Sequence, residues 1–117
     1  NLNNNSSQVR VTVNSAPIAL DDSGKTGMNV TLVVGAPGVL GNDSDPDGDP
    51  LTASLLNQAS HGTAVVNANG SYSYTPNPGY SGVDNFFYQI SDGFFTDSAG
   101  VTINIIPGWL FLPLVRR

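Results

Sequence analysis

Asp43, Asp45, Asp47 and Asp49 stand at alternate positions of one short run, Asp43-Ser-Asp-Pro-Asp-Gly-Asp49, in a chain of 117 residues whose nine acidic residues are all Asp. Carboxylates crowded on one loop repel one another unless a positive charge sits among them. Ca²⁺ suits such a loop, because it takes about six to eight oxygen ligands and short Asp side chains on a Gly- and Pro-bent backbone bring several oxygens inward. The same residue types also build ordinary turns, in which Asx side chains accept bonds from their own backbone and Gly takes positive φ. Both readings stand on sequence alone. The run matches the EF-hand loop at Asp43, Asp45, Asp47 and Gly48, but the last ligand position of that template falls on Ser54, where a bidentate Glu is required, and no helical pattern flanks it. A calcium ion here would sit on a loop between strands.

Length and composition narrow what these carboxylates belong to. A chain of 117 residues forms one domain with one core. Cysteine is absent, which excludes disulfides, thiolate nucleophiles and Cys-ligated metals. The only cations are Arg10, Lys25, Arg116 and Arg117, and the formal charge of −5 argues against a nucleic-acid partner. A Cys-free, Lys-poor composition rich in Asp, Asn, Ser and Thr fits the exported surface proteins of bacteria or archaea, so an extracellular address is expected. The chain starts at Asn1 with no Met and no signal-peptide pattern, as a processed protein or an excised piece does. Asn-x-Ser/Thr sequons begin at Asn4, Asn5, Asn29, Asn42 and Asn69 and would accept glycans on a secreted surface.

The elements that must hold the acidic run read as strands. Residues 1–8 form a polar arm, after which Val9, Val11 and Val13 alternate with Arg10, Thr12 and Asn14 as a half-buried strand does. Further strands are expected at 18–21, 30–34, 51–56, 63–66, 71–75, 85–91 and 99–106, separated by Gly, Pro, Asn and Asp clusters. With 13 Gly and 8 Pro and no apolar period of 3.6, helix content should be near nil. The expected architecture is all-β, an antiparallel sandwich of about seven strands plus the extra N-terminal strand. It divides into 1–15 (arm and alternating strand), 16–106 (sandwich) and 107–117 (apolar tail). Tyr72 and Tyr74, and Phe86, Tyr88 and Ile90, share faces that should point into the core, while Phe87 points outward and either forms an exposed aromatic patch with Phe94 and Phe95 or is covered by a loop or the N-terminal arm. The tail, with Trp109 and Phe111 at its centre, is too short to span a bilayer, and Pro113 bars it from the middle of a sheet.

Several motifs occur together in order: Ala16-Pro-Ile-Ala-Leu-Asp-Asp-Ser23, Ala36-Pro-Gly-Val-Leu-Gly-Asn-Asp43, Asp45-Pro-Asp-Gly-Asp-Pro-Leu-Thr52, His61-Gly-Thr63, Asn69-Gly-Ser-Tyr-Ser-Tyr-Thr-Pro76, Gly82-Val-Asp-Asn-Phe-Phe-Tyr88 and Ile90-Ser-Asp-Gly93. From Ala16 to Ile106 the chain resembles the bacterial cadherin-like, immunoglobulin-like repeat of large surface adhesins. That resemblance implies a calcium-stiffened β-sandwich acting as a spacer or adhesive module without catalysis. Carried over by position, it names Asp21, Asp22, Asp43, Asp45, Asp47 and Asp49 as ligand candidates, with Asp84 and Asp92 as weaker ones that could instead tie loops. Where many such repeats carry a Glu-Asp pair after the first strand, this chain has Met28-Asn29. The loss of two carboxylates implies one calcium rather than two.

Three classes of function follow. An enzyme is disfavoured: His61 is the sole His, at a loop-to-strand junction where imidazole is expected to bond backbone, and there is no Gly-x-Ser-x-Gly elbow. A spacer or adhesive module of a larger surface protein is the second class, with a cell-surface or glycan ligand as its partner. The third is a structural subunit that polymerises head-to-tail, its Val9, Val11 and Val13 strand adding to a neighbouring copy and Trp109 and Phe111 docking on it, the alternative for that strand being an ordinary edge strand of its own sandwich. The expectation is a non-enzymatic, calcium-stabilised structural protein of the microbial surface that assembles into a filament or appendage, with the adhesin module as alternative.

Overall fold

The computed structural model describes residues 14–107. It contains seven strands: β1 (Asp22–Gly27), β2 (Leu32–Val34), β3 (Thr52–Asn57), β4 (Gly62–Val66), β5 (Tyr72–Pro76), β6 (Gly82–Ser91) and β7 (Thr96–Ile106). A single turn of 3-10 helix, Gly38–Asn42, is the one helical element among the described residues. The strands form a four-stranded sheet in the order β1-β7-β6-β3 and a three-stranded sheet in the order β2-β5-β4. The all-β sandwich expected from the sequence is therefore the fold. The expected strand through Val9, Val11 and Val13 and the tail residues Trp109 and Phe111 lie outside the described residues.

Strict alternation builds the long central pair. In β6, Asp84, Phe86, Tyr88 and Ile90 are buried, and in β7 Ala99, Val101, Ile103 and Ile105 are buried, so one face of each strand turns inward. Tyr72, Tyr74 and Ala64 of the second sheet meet them, with Tyr72 edge-on to Phe86 at 5.6 Å and Tyr74 stacked at 6.4 Å from the same ring. Phe87 projects from the opposite face, where its ring lies over Gly100; a Cβ on Gly100 would come within 2.9 Å of that ring.

Two expectations about the first strand are corrected. Residues 18–21 make only one isolated bridge, Ile18 to Ser44. Their other backbone donors go to side chains, Ala19 N–H to Asp97 Oδ2 (2.9 Å) and Leu20 N–H to Asp43 Oδ1 (2.9 Å), which removes them from a ladder. The strand proper starts at Asp22 and pairs parallel with β7, Asp22 opposite Val101 through Gly27 opposite Ile106, so the sandwich is not wholly antiparallel. Gly24 sits in this strand because any Cβ would meet Leu32, Tyr72 and Ile103 at 2.9–3.1 Å.

The described chain enters and leaves at opposite ends. Asn14 and Ser15 lie against the β6–β7 hairpin and the acidic loop, whereas β7 runs to Ile106 beside the β1–β2 turn, where the Met28 N–H donates to Ile106 O (2.9 Å). The ten residues of β6 set these ends about 30 Å apart at roughly 3.3 Å per residue.

The 3-10 turn is pinned to the β4–β5 hairpin by the closest backbone approach noted between them, Val39 N–H to Gly70 O (2.9 Å). Gly38 and Gly70 have φ of 52° and 91°, and a Cβ on either would overlap backbone of the other segment. Gly70→Ala should therefore cost at least about 3 kcal/mol through strain and displacement of the turn; urea unfolding of the variant checks it, and a loss under about 1 kcal/mol would show that the turn is free to move.

Candidate metal centre

The acidic run lies between the 3-10 turn and β3, at the entry end of the sandwich. Asp45, Asp47 and Asp49 each bring a carboxylate oxygen within 4.8 Å of the others. An Asx turn makes them converge: Asp45 Oδ1 accepts the Asp47 N–H (2.8 Å) and, at 3.4 Å, the Asp49 N–H. Gly48, at φ 76°, closes the loop by donating its N–H to Asp45 O (2.9 Å).

The turn accounts for only half of the Asp45 carboxylate. Asp45 Oδ2 is buried and has no hydrogen-bond partner. A buried acceptor left bare costs on the order of 1–3 kcal/mol, and a charged one more. Lys25, the one Lys or Arg among the described residues, is exposed on β1, and no ion pair among those residues involves the three carboxylates. Partial desolvation, together with the charges of Asp45, Asp47 and Asp92, pushes the Asp49 carboxyl above its ordinary range. An all-oxygen donor set with an orphaned oxygen and no counter-charge is the chemistry of a hard divalent cation.

The incoming chain is tied to the same end. Ser15 donates its N–H to Asp47 Oδ2 (2.6 Å), and Asn14 Nδ2 donates to Asp92 Oδ2 (3.0 Å). Asp92 is buried at the β6–β7 hairpin, where its Oδ1 accepts the N–H groups of Phe94 and Phe95, both at 2.8 Å. These donors, Phe95 foremost, hold its carboxyl below the ordinary range. Asp92 thus ties a loop, one of the two roles open to it. Phe94 and Phe95, exposed to 80% and 48%, stand on that hairpin as expected, and Phe87 is 42% exposed on the outer face of the sheet.

Asp21, Asp22 and Asp43 are not part of the group of three. Asp21 Oδ1 accepts the Gly100 N–H (2.9 Å), which fastens β1 to β7. Asp22 and Asp43 meet at the buried Tyr88 hydroxyl, which lies 3.1 Å from Asp22 Oδ2, 2.8 Å from Asp43 Oδ2, 3.0 Å from Leu20 O and 3.1 Å from Val39 O. A phenol carries one hydrogen to donate. One proton therefore faces four acceptors, two of them carboxylates. Burial pushes both carboxyls above their ordinary range, with the Tyr88 bond pulling part of the way back. Burial and the Asp43 bond likewise raise Tyr88 far above an ordinary phenol, so it stays a donor. Sequence reasoning treated Tyr88 only as core. The available signal was that it is Tyr rather than Phe on a buried face, since a buried phenol needs a partner.

His61 and Asp84 occupy the exit end. Asp84, also buried, ties loops by accepting from the Ser60 N–H (3.2 Å), the His61 N–H (3.0 Å) and the Tyr74 hydroxyl (2.6 Å). The His61 imidazole stacks on Tyr80 at 4.2 Å instead of bonding backbone, with Nδ1 3.7 Å from Asp84. No Ser or Thr hydroxyl among the described residues is hydrogen-bonded to the imidazole, so the pair lacks the nucleophile of a hydrolytic triad. No helix among these residues is long and apolar enough to cross a membrane.

The fold is a strand sandwich held by loop-tying carboxylates, with an acidic loop at the point of entry. The sequence model of the bacterial cadherin-like domain matches residues 14–107, and the chain belongs to that family. The family is generally non-enzymatic, and its membership makes this a surface or extracellular type of module. No curated protein matches the chain. Among solved structures it is similar to a variant of the endo-fucoidan hydrolase MfFcnA4 from glycoside hydrolase family 107, at 23% identity and a TM-score of 0.50 over 79% of this chain and 14% of that one. The endo-fucoidan hydrolase MfFcnA9 of the same family gives 16% identity and a TM-score of 0.50 over 75% of this chain and 15% of that one. These likenesses extend to the fold alone, and the chain spans about a seventh of the length of either enzyme.

A pH dependence follows from the Tyr88 cluster. Because Asp22 and Asp43 bind protons more tightly folded than unfolded, they contribute stability that is full below the unfolded carboxylate value and lost as pH rises through their higher folded values. Asp92 acts in the opposite sense, its contribution being lost as pH falls below the unfolded value. In chelator, the melting temperature should rise as pH is lowered from neutral toward the unfolded carboxylate value of about 4 and fall below it. Tyr88→Phe, which removes the one donor, should destabilise by about 1–3 kcal/mol at pH 7.5 and steepen the gain on mild acidification. A melting temperature that falls steadily from pH 7.5 to 5 in chelator would contradict this.

Proposed function

We propose that this domain is a calcium-stabilised structural module of a microbial surface protein, a unit that transmits length and load between neighbours at its two ends. The observation that carries the reading is the orphaned, buried Oδ2 of Asp45 in a group of three carboxylates without a counter-charge among the described residues, placed at the end where the chain enters. Asp45, Asp47 and Asp49 would hold the ion. Calcium would supply the charge the loop lacks and, through the Ser15 bond to Asp47, stiffen the junction with whatever precedes the sandwich. Entry and exit at opposite ends suit serial, end-to-end use. The occurrence of the same fold as a small part of longer hydrolase chains supports a unit built into larger proteins.

The contacts at the entry end also favour a second reading, a subunit that joins copies head-to-tail into a filament. Val9, Val11 and Val13 immediately precede Asn14, which is fastened beside the exposed Phe94 and Phe95, so a neighbour at that end would meet the alternating strand. A cell-surface or glycan ligand is compatible with either reading.

Chelation should lower the melting temperature of the wild-type domain by several degrees, in line with loss of an ion that binds only the folded state. Asp45→Asn with Asp47→Asn should abolish that sensitivity; equal melting curves with and without chelator in the wild type would make the loop a plain turn. Electron micrographs of undenatured material in millimolar calcium separate the two readings, with fibres expected of a subunit and discrete particles of a spacer.

A further inference from the structure

The two ends of this molecule complement one another, and the match names a partner. At the entry end Phe94 and Phe95 stand exposed on the β6–β7 hairpin, with Ile18 and Leu20, themselves exposed, on the neighbouring entry segment. Asp92 on the same hairpin and the neighbouring Asp45, Asp47 and Asp49 bring negative charge to that end. Beyond the exit end the sequence continues for ten residues, Gly-Trp-Leu-Phe-Leu-Pro-Leu-Val-Arg-Arg, apolar over most of its length and ending in Arg116 and Arg117. Those two arginines are half of the four cations in the chain, against nine carboxylates, so the entry end is where opposite charge is concentrated.

Reach decides between one copy and two. Trp109 to Leu112 lie within five residues of Pro107, and an extended chain covers at most about 3.6 Å per residue, or about 18 Å. Phe94 and Phe95 are about 30 Å away along the sandwich. Trp109 and Phe111 therefore cannot cover the hairpin of their own copy.

We propose that the tail from Trp109 to Arg117 docks on the entry end of a second copy, its large apolar side chains on Phe94 and Phe95 and its arginines toward the net negative charge that Asp45, Asp47, Asp49 and Asp92 keep beside one bound calcium. The contact is heterologous and does not close on itself, so it propagates as a linear array. This rests on the reading of the domain as an end-to-end unit and identifies which surfaces meet. The patch is small, so the association is of the weak, transient class and salt-sensitive.

The test uses the full chain in millimolar calcium, by sedimentation velocity over a concentration series. Wild type should show mass-action growth beyond the monomer that weakens with salt. Phe94→Ser with Phe95→Ser keeps the tail but loses the receiving surface, and Trp109→Ser with Phe111→Ser does the reverse; each alone should be a monomer, and their mixture should form a dimer of one copy of each. Side-chain exposure makes the hairpin variant tolerable to the fold, and unchanged circular dichroism verifies it. A wild type monomeric throughout, either variant assembling like wild type, or a mixture that stays monomeric would overturn the proposal. Chelator-dependent melting measured on the same variants reads the calcium site separately, so docking can fail while the module reading stands, and the reverse.

Discussion

Negative charge crowded at one end of a strand sandwich is the constraint on which the rest of this structure depends. Three carboxylates converge within 4.8 Å, a fourth stands at the adjoining hairpin, and two more share the Tyr88 hydroxyl just beneath. Each group is handled by a different device. Asp92 and Asp21 are satisfied by backbone N–H groups that they also hold in place. Asp22 and Asp43 share one phenolic proton and respond by binding protons more readily. Asp45, Asp47 and Asp49 have their own turn and the Ser15 N–H on Asp47, which together leave Asp45 Oδ2 bare. The division matters because only the last arrangement calls for something from outside the chain.

The opposite end is neutralised by geometry instead. Asp84 is buried, but four donors, the N–H groups of Ser60, His61 and Asn85 and the Tyr74 hydroxyl, converge on it. A buried carboxylate with that many partners stabilises a loop and asks for no ion. Among the described residues the sandwich is thus polar along its length, with an end that lacks counter-charge where the chain enters and a satisfied end where it leaves.

The parts legible in the sequence are those set by local period. Phe86, Tyr88 and Ile90 alternate with Phe87 and Gln89, and burial follows that alternation because strand side chains have a period of two. The acidic triad was legible for the same kind of reason, since alternate Asp residues around Gly48 converge as soon as the loop closes on itself. What stayed hidden was set by distant segments. β1, Asp-Ser-Gly-Lys-Thr-Gly, carries no apolar alternation; it is a strand because β7 offers it backbone partners and because Gly24 leaves room for Tyr72 and Ile103. Residues 18–21 look more strand-like, yet Asp43 and Asp97 take their amides. The separation of Asp22 and Asp43 from the triad depends on Tyr88, 66 and 45 residues away in sequence, and no spacing rule reports that.

The central claim is that an ion belongs at Asp45, Asp47 and Asp49 and nowhere else in the acidic end. A crystal structure grown in millimolar calcium, with the ion located by its anomalous signal, tests it most directly. The account predicts one calcium with Asp45 Oδ2 among its ligands at about 2.3–2.6 Å, together with oxygens of Asp47 and Asp49. A loop that remains free of metal under those conditions, or an ion seated between Asp22, Asp43 and Tyr88, would contradict it.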